Sequence, residues 1–261
     1  MARISAKAWN NYLNLLRRFP ERATKEMNSM LMRLSGQYEK GLITYEEYEN
    51  AAVEFAYALV SKYGEGAGAV ACEMYDAIAE LQNALVPPAV PASTATFGET
   101  AKAVVGTMKT GNPQIVSNAT GRLVKLVGVD TMQQNALRDG AQWAWIPRGD
   151  TCAFCLTLAS NGWQKASKKA IKNGHAEHVH ANCDCTYAIR FNDDLDVEGY
   201  EPEKYLDMYY GADGDTPEEK INALRREFYA KNKETINAQK RSAYAKRIER
   251  NSSEAEEIKV D

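Results

Sequence analysis

The sequence predicts a mainly α protein, a helical bundle that carries a small α+β module with a short β-hairpin or sheet. Three observations predict this. Apolar residues recur at three- and four-residue spacing up to Leu81 and again from Phe97 to Gly140, the period of an amphipathic helix. Between Trp143 and Phe191 the pattern shifts to short aromatic and β-branched runs of strand type. Four of the five cysteines and all three histidines fall between Cys152 and Cys185. Thiolate and imidazole are the ligands that suit zinc, so the expected module is zinc-stapled.

The elements follow in order. Residues 1–35 read as helix, with Trp9, Tyr12, Leu13, Leu16 and Phe19 on one stripe. Pro20 should break or kink it before Ala23, Met27, Leu31 and Leu34 resume the pattern. Thr44-x-x-Glu47 is a capping box that opens a second helix through Tyr48, Ala52, Phe55, Leu59 and Val60. Gly64, Gly66 and Gly68 should end it, with a third helix carrying Ala71, Tyr75, Ile78 and Leu81. Cys72 lies in that helix as a small buried apolar residue. Val86-Pro87-Pro88-Ala89-Val90-Pro91 cannot be helical and predicts an extended linker. Beyond it come helices over Phe97–Met108 and Asn112–Gly128, and a further one capped by Asp130 and running to Gly140.

Trp143 to Pro147 then reads as a strand whose two tryptophans share one face. It ends in the turn Arg148-Gly149-Asp150. A short helix over Ala153–Ser160 stops at Asn161-Gly162. Lys165, Lys168, Lys169 and Lys172 form a basic helical stretch, a solvated face or an edge for contacting DNA phosphates or a partner. Thr186 to Phe191 is a second strand that should pair with the first. Residues 193–215 read as an acidic, tyrosine-rich loop. Thr216-Pro217-x-Glu219 opens a final basic helix to about Arg250, followed by a frayed tail. The domain reading is an N-terminal helical region (1–86), a Pro-rich linker (87–96), central helices with the zinc-binding module (97–215, core 141–192) and the C-terminal helix and tail (216–261).

Composition narrows the function classes. The net charge of -3 gives no global basic field for nucleic acid. No apolar run follows the basic start MARISAKAWNNY, so no signal peptide is expected. The segment AVEFAYALV contains Glu54 and is too short to span a bilayer, so no membrane partner is expected. Cysteines without an export signal point to a reducing compartment, where C-x-x-C is more often metal-binding or redox than a structural disulfide.

The candidate metal ligands are Cys152, Cys155, His180, Cys183 and Cys185. Cys152-x-x-Cys155 lets two thiolates meet one tetrahedral ion from a tight turn. His180 and Cys183 are three apart, a chelating spacing, and Cys185 can join from the strand start. Five candidates for four positions leave the choice of ligands open. The excess of thiolates favours a closed structural zinc. A catalytic zinc needs an open position and a general base, and Glu177 within HAEHVH is the residue that would serve a zinc-dependent nuclease.

The segment AQWAWIPRGDTCAFCLTLASNGW followed by HVHANCDCTYAIRF resembles phage minor head proteins of the Mu F-like type, also called head morphogenesis proteins. The shared pattern is Cys152-x-x-Cys155, an insert, then His180-x-x-Cys183-x-Cys185 leading into a strand, with Ala181 where that family often has proline. The resemblance covers residues 130–191 closely and the flanking helices only in general shape. It implies a structural minor capsid protein of a tailed phage or prophage, without catalytic activity. Its implied partners are portal and capsid proteins, with phage DNA as a further candidate. Its implied location is the phage head, after assembly in the bacterial host cytoplasm.

Overall fold

The computed structural model of the chain describes residues 2–148, 152–167 and 185–257. Its frame is three long helices. Helix α1 spans Ala6–Glu39, α2 Tyr45–Leu81 and α4 Pro113–Asp139, with the shorter α3 (Phe97–Met108) against α2 and α4. Close contacts fix their directions. A Cβ on Gly128 would lie 3.1 Å from Leu16, and one on Gly121 would collide with Thr24, so α1 and α4 run antiparallel. Gly64 faces Val127 and Gly68 faces both Val127 and Thr131, so α2 and α4 run parallel.

Three breaks expected in these helices do not occur. Helix α1 continues through Pro20 for 34 residues, because buried residues on both sides of the proline anchor it. Helix α2 continues through Gly64, Gly66 and Gly68 for 37 residues. The glycines are seats for neighbours: a Cβ on Gly64 would lie 2.7 Å from Thr94, one on Gly66 would meet the Phe19 ring, and one on Gly68 would lie 3.1 Å from Pro91. Tertiary packing there outweighs glycine's helix cost of about 1 kcal/mol. Asp130 caps nothing, since α4 is one helix of 27 residues ended by Gly140 at φ 65°. The start of α2 is as the sequence predicts: Glu47 N–H donates to Thr44 Oγ1 at 3.2 Å, and Thr44 N–H donates to Glu47 Oε2 at 2.7 Å.

The small sheet has strand order β3-β2-β4, with β2 Gln142–Ile146, β3 Gln164–Lys165 and β4 Thr186–Arg190. The two strands expected to pair do so antiparallel, with Trp145 opposite Tyr187 and Trp143 opposite Ile189. Tyr187 stands edge-on to both indoles at centroid distances of 4.6 and 4.7 Å. Such aromatic pairs add about 0.5–1.5 kcal/mol each beyond area burial. Helix α5 (Ala153–Ala159) follows β2. Lys165 lies on the edge strand β3, where a helical turn was expected, because its backbone pairs with Gln142.

The acidic stretch after β4 is structured. Strand β5 (Leu195–Val197) pairs in parallel with β1 (Ala2–Ile4), and Arg3 reaches Asp196 at 3.2 Å. Helix α6 spans Pro202–Gly211 and α7 spans Pro217–Glu257. Strand pairing of residues so far apart in sequence leaves no local pattern to read. The cap of α7 is as expected, with Glu219 N–H donating to Thr216 Oγ1 at 3.2 Å. Among its described side chains, Ala223 and Leu224 are buried and pack with Ala153, Leu156 and Ala212.

The cores cross the expected linker. One unites Met27, Leu31, Ala56 and Val60 with Val104 and Val124. The other unites Trp9, Tyr12, Tyr75 and Ile78 with Met132, the sheet and α5. Residues 87–96 therefore run along one shared body, and the helices on either side of them are packed partners.

Candidate functional site

The strand β2 and the helix α5 set the first cysteine pair. Cys152 is the residue capping α5, and Cys155 is buried one turn inside it. Cys185 is buried immediately before β4. Cys155 and Cys185 belong to the core built on Trp143, Trp145 and Tyr187, and Cys152 packs against it. The sheet thus brings the first pair and the end of the second cysteine group to one core.

Among the described residues, no three His, Cys, Asp or Glu side chains come together as a group able to hold a metal ion. His180 and Cys183, two of the five predicted ligands, lie outside the described residues, as do His175, His178 and Glu177. The described part contributes Cys152, Cys155 and Cys185 from two separate segments. These donors are of the right chemistry for zinc, and a tetrahedral set would need a fourth ligand from the remaining segment. Of the four predicted lysines, Lys165 is exposed on β3, while Lys168, Lys169 and Lys172 lie outside the described residues.

Ionisable groups near this core have shifted equilibria. Burial pushes the Asp130 carboxyl up to about 6. Burial also raises the Tyr187 hydroxyl, with further upward contributions from Asp130 and Cys155. Cys72, expected to be buried, is half-buried, and desolvation raises its thiol.

Sequence reading missed the residues that bind the proline-rich segment to α4. Asn135 is buried; its Oδ1 accepts from Val90 N–H at 2.9 Å and its Nδ2 donates to Val90 carbonyl at 2.8 Å. Thr131 Oγ1 accepts from Ala92 N–H at 2.9 Å. Arg138 donates to the carbonyls of Pro87 and Pro88 at 2.8 and 3.1 Å, held by Asp139, which also accepts from Tyr75 at 2.7 Å. Asp76 accepts from Ala89 N–H at 2.8 Å. An extended segment cannot satisfy its own backbone, so these side chains complete it. The signal was present: Thr131, Asn135 and Arg138 recur at four and three residues along α4, a polar stripe on one helix face. Gln82 does the same for the sheet, accepting from Phe191 N–H at 2.8 Å and donating to Asn192 Oδ1 at 2.7 Å.

Among the described residues no helix is long and apolar enough to cross a membrane. Residues 3–212 match the family model described as VG15 protein, from β1 to the end of α6, with α7 beyond the match. No curated protein and no solved structure matches the chain.

Proposed function

The chain belongs to the VG15 protein family, a family of phage proteins, and we propose that it is a structural minor protein of a phage head. The family match over residues 3–212 supports the phage origin in this reading. The motif from Cys152 to Cys185 supports the finer assignment, because it resembles the Mu F-like head morphogenesis proteins. In this reading the protein assembles with portal and capsid proteins in the host cytoplasm and remains in the virion. Phage DNA is a further contact through the lysines from Lys165 to Lys172. The role is structural and not catalytic.

The cofactor in this reading is one structural zinc. Cys152 and Cys155 would supply two thiolates, and two of His180, Cys183 and Cys185 would complete the set. Burial of Cys155 and Cys185 in one core supports it, since a metal there would join the α5 turn to the strand β4. A closed thiolate set leaves no open position for substrate.

Co-expression with the portal protein of the same phage tests the assembly role. Co-elution with the portal ring on size exclusion is expected, and separate elution of both folded proteins would overturn it. Metal analysis of freshly purified, reduced protein should give one zinc per chain; none would remove the zinc. Metal-dependent cleavage of duplex DNA, lost in His180→Ala, would overturn the non-catalytic role.

A further inference from the structure

A groove of about 650 Å³ runs along the crossing of α1 and α4 and ends at Arg148, Cys185 and Thr186. The helices lie close at Gly121, where a Cβ would lie 3.0 Å from the Pro20 carbonyl. Its floor is apolar, from Leu13, Leu16, Ala67 and Val129. Its charge is one-sided. Among the described residues, Arg17, Lys25, Lys125 and Arg148 line it, against Glu21 as the single carboxylate. That carboxylate is already engaged by Arg17 at 3.1 Å. This concentration of cations occurs in a chain whose net charge is -3.

Two of the cations are unusual. Among the described residues, Lys125 Nζ and Arg148 Nη1 are buried without a hydrogen-bonding partner. Arg148 Nη2 donates to Asn14 Oδ1 at 3.1 Å. A buried cationic donor without a partner is costly, and a carboxylate is the group that relieves it. We infer that this groove docks an acidic peptide segment of a partner protein, with apolar side chains on the floor and carboxylates at Lys125 and Arg148. The flexible Lys125 stem lets its ammonium turn into the groove to meet them.

The lining favours a peptide over nucleic acid. Among the described residues it contains no aromatic side chain on which a base could stack, the usual platform for a single strand. A duplex presents its phosphates on a convex surface, whereas these donors are recessed between two helices. An elongated groove with an apolar floor is the form that accepts alternating apolar and charged side chains. The inference does not depend on the zinc or on the head-protein reading.

The probe is a fluorescein-labelled peptide of alternating glutamate and leucine, followed by anisotropy at low salt. Binding is expected to weaken about tenfold or more in Lys125→Met and in Arg148→Gln. Lys125→Arg should largely retain it, and Lys102→Met on the exposed side of α3 should leave it unchanged. Lys125→Met should keep wild-type helical circular dichroism and melt no lower than wild type, since it removes an unpartnered charge. No binding by the wild type, equal binding of a glutamine-leucine peptide, or a lower melting temperature in Lys125→Met would each overturn the inference. Displacement of the peptide by a duplex DNA oligonucleotide at equal concentration would reassign the groove to phosphate and overturn it too.

Discussion

Replacing Asn135 by alanine should loosen the proline-rich segment and cost measurable stability. The side chain is 2% exposed and makes two hydrogen bonds to Val90, at 2.9 and 2.8 Å. Its amide also donates to the Thr131 carbonyl at 2.7 Å, an intrahelical contact that adds little. Each bond to Val90 is worth about 1 kcal/mol net, and leaving the Val90 amide without its partner adds part of a desolvation penalty. The expected loss is about 2–3 kcal/mol, or about 5–10 °C in melting temperature for a domain of this size. Urea unfolding monitored by circular dichroism measures the loss. Limited proteolysis locates it, because cleavage within residues 86–92 should accelerate before cleavage elsewhere. A change below about 0.5 kcal/mol, the range of an ordinary surface substitution, would refute the claim that Asn135 holds the segment to α4.

Three further outcomes follow from the same geometry. Asp130→Asn should stabilise the protein at neutral pH, because burial holds this carboxyl near 6 against an ordinary 3.8, so its ionisation opposes folding. The penalty is absent below about pH 4, grows as pH rises through the window up to about 6, and reaches on the order of 1–3 kcal/mol above it; parallel pH–stability curves for variant and wild type would contradict this. Trp145→Ala should cost about 3–5 kcal/mol in chemical denaturation, since this fully buried indole packs on Tyr187 across the sheet. Truncation after Asn232 should change the melting temperature no more than a surface substitution does, because Ala223 and Leu224 are the buried residues among the described side chains of α7; a large drop would show that the rest of the helix is packed.

What the sequence made legible was local and periodic. The capping box at Thr44, the start of α7 at Thr216 and the strands β2 and β4 themselves all follow from patterns within a few residues. The breaks wrongly expected at Pro20, at Gly64 to Gly68 and at Asp130 share one cause. Each residue disfavours or caps a helix in isolation, but each sits where another element packs against it. A Cβ on Gly64 would clash with Thr94 at 2.7 Å, and one on Gly68 would crowd Pro91 at 3.1 Å. Propensity cannot report a neighbour that lies thirty residues away in sequence. The parallel pair of β1 and β5 was illegible for the same reason, since its two short strands come from opposite ends of the matched region. The candidate ligands were legible by residue type, yet their convergence depends on the segment between Ala166 and Cys185, and spacing alone does not fix its path.

The placement of the sheet changes what a zinc ion would be for. Read from the sequence, two short strands need a metal to hold them together, since such a pair is marginal alone. In the fold they are not alone. Tyr187, Ile189, Trp143 and Trp145 are buried against α1, α2 and α4, and Gln82 holds the end of β4 to α2. The bundle therefore supplies the burial that a free-standing hairpin lacks. A zinc ligated by Cys152, Cys155 and the second cysteine group would act on the turn before α5 and the segment leading into β4. Chelation of the zinc-loaded protein should then expose that segment without melting the bundle. Hydrogen exchange tests this directly: amides of α5 and of the approach to β4 should lose protection on chelation, while those of α1, α2 and α4 keep theirs. Loss of protection throughout the bundle would mean that the metal, and not the packing of β2 and β4 on the helices, holds the sheet in place.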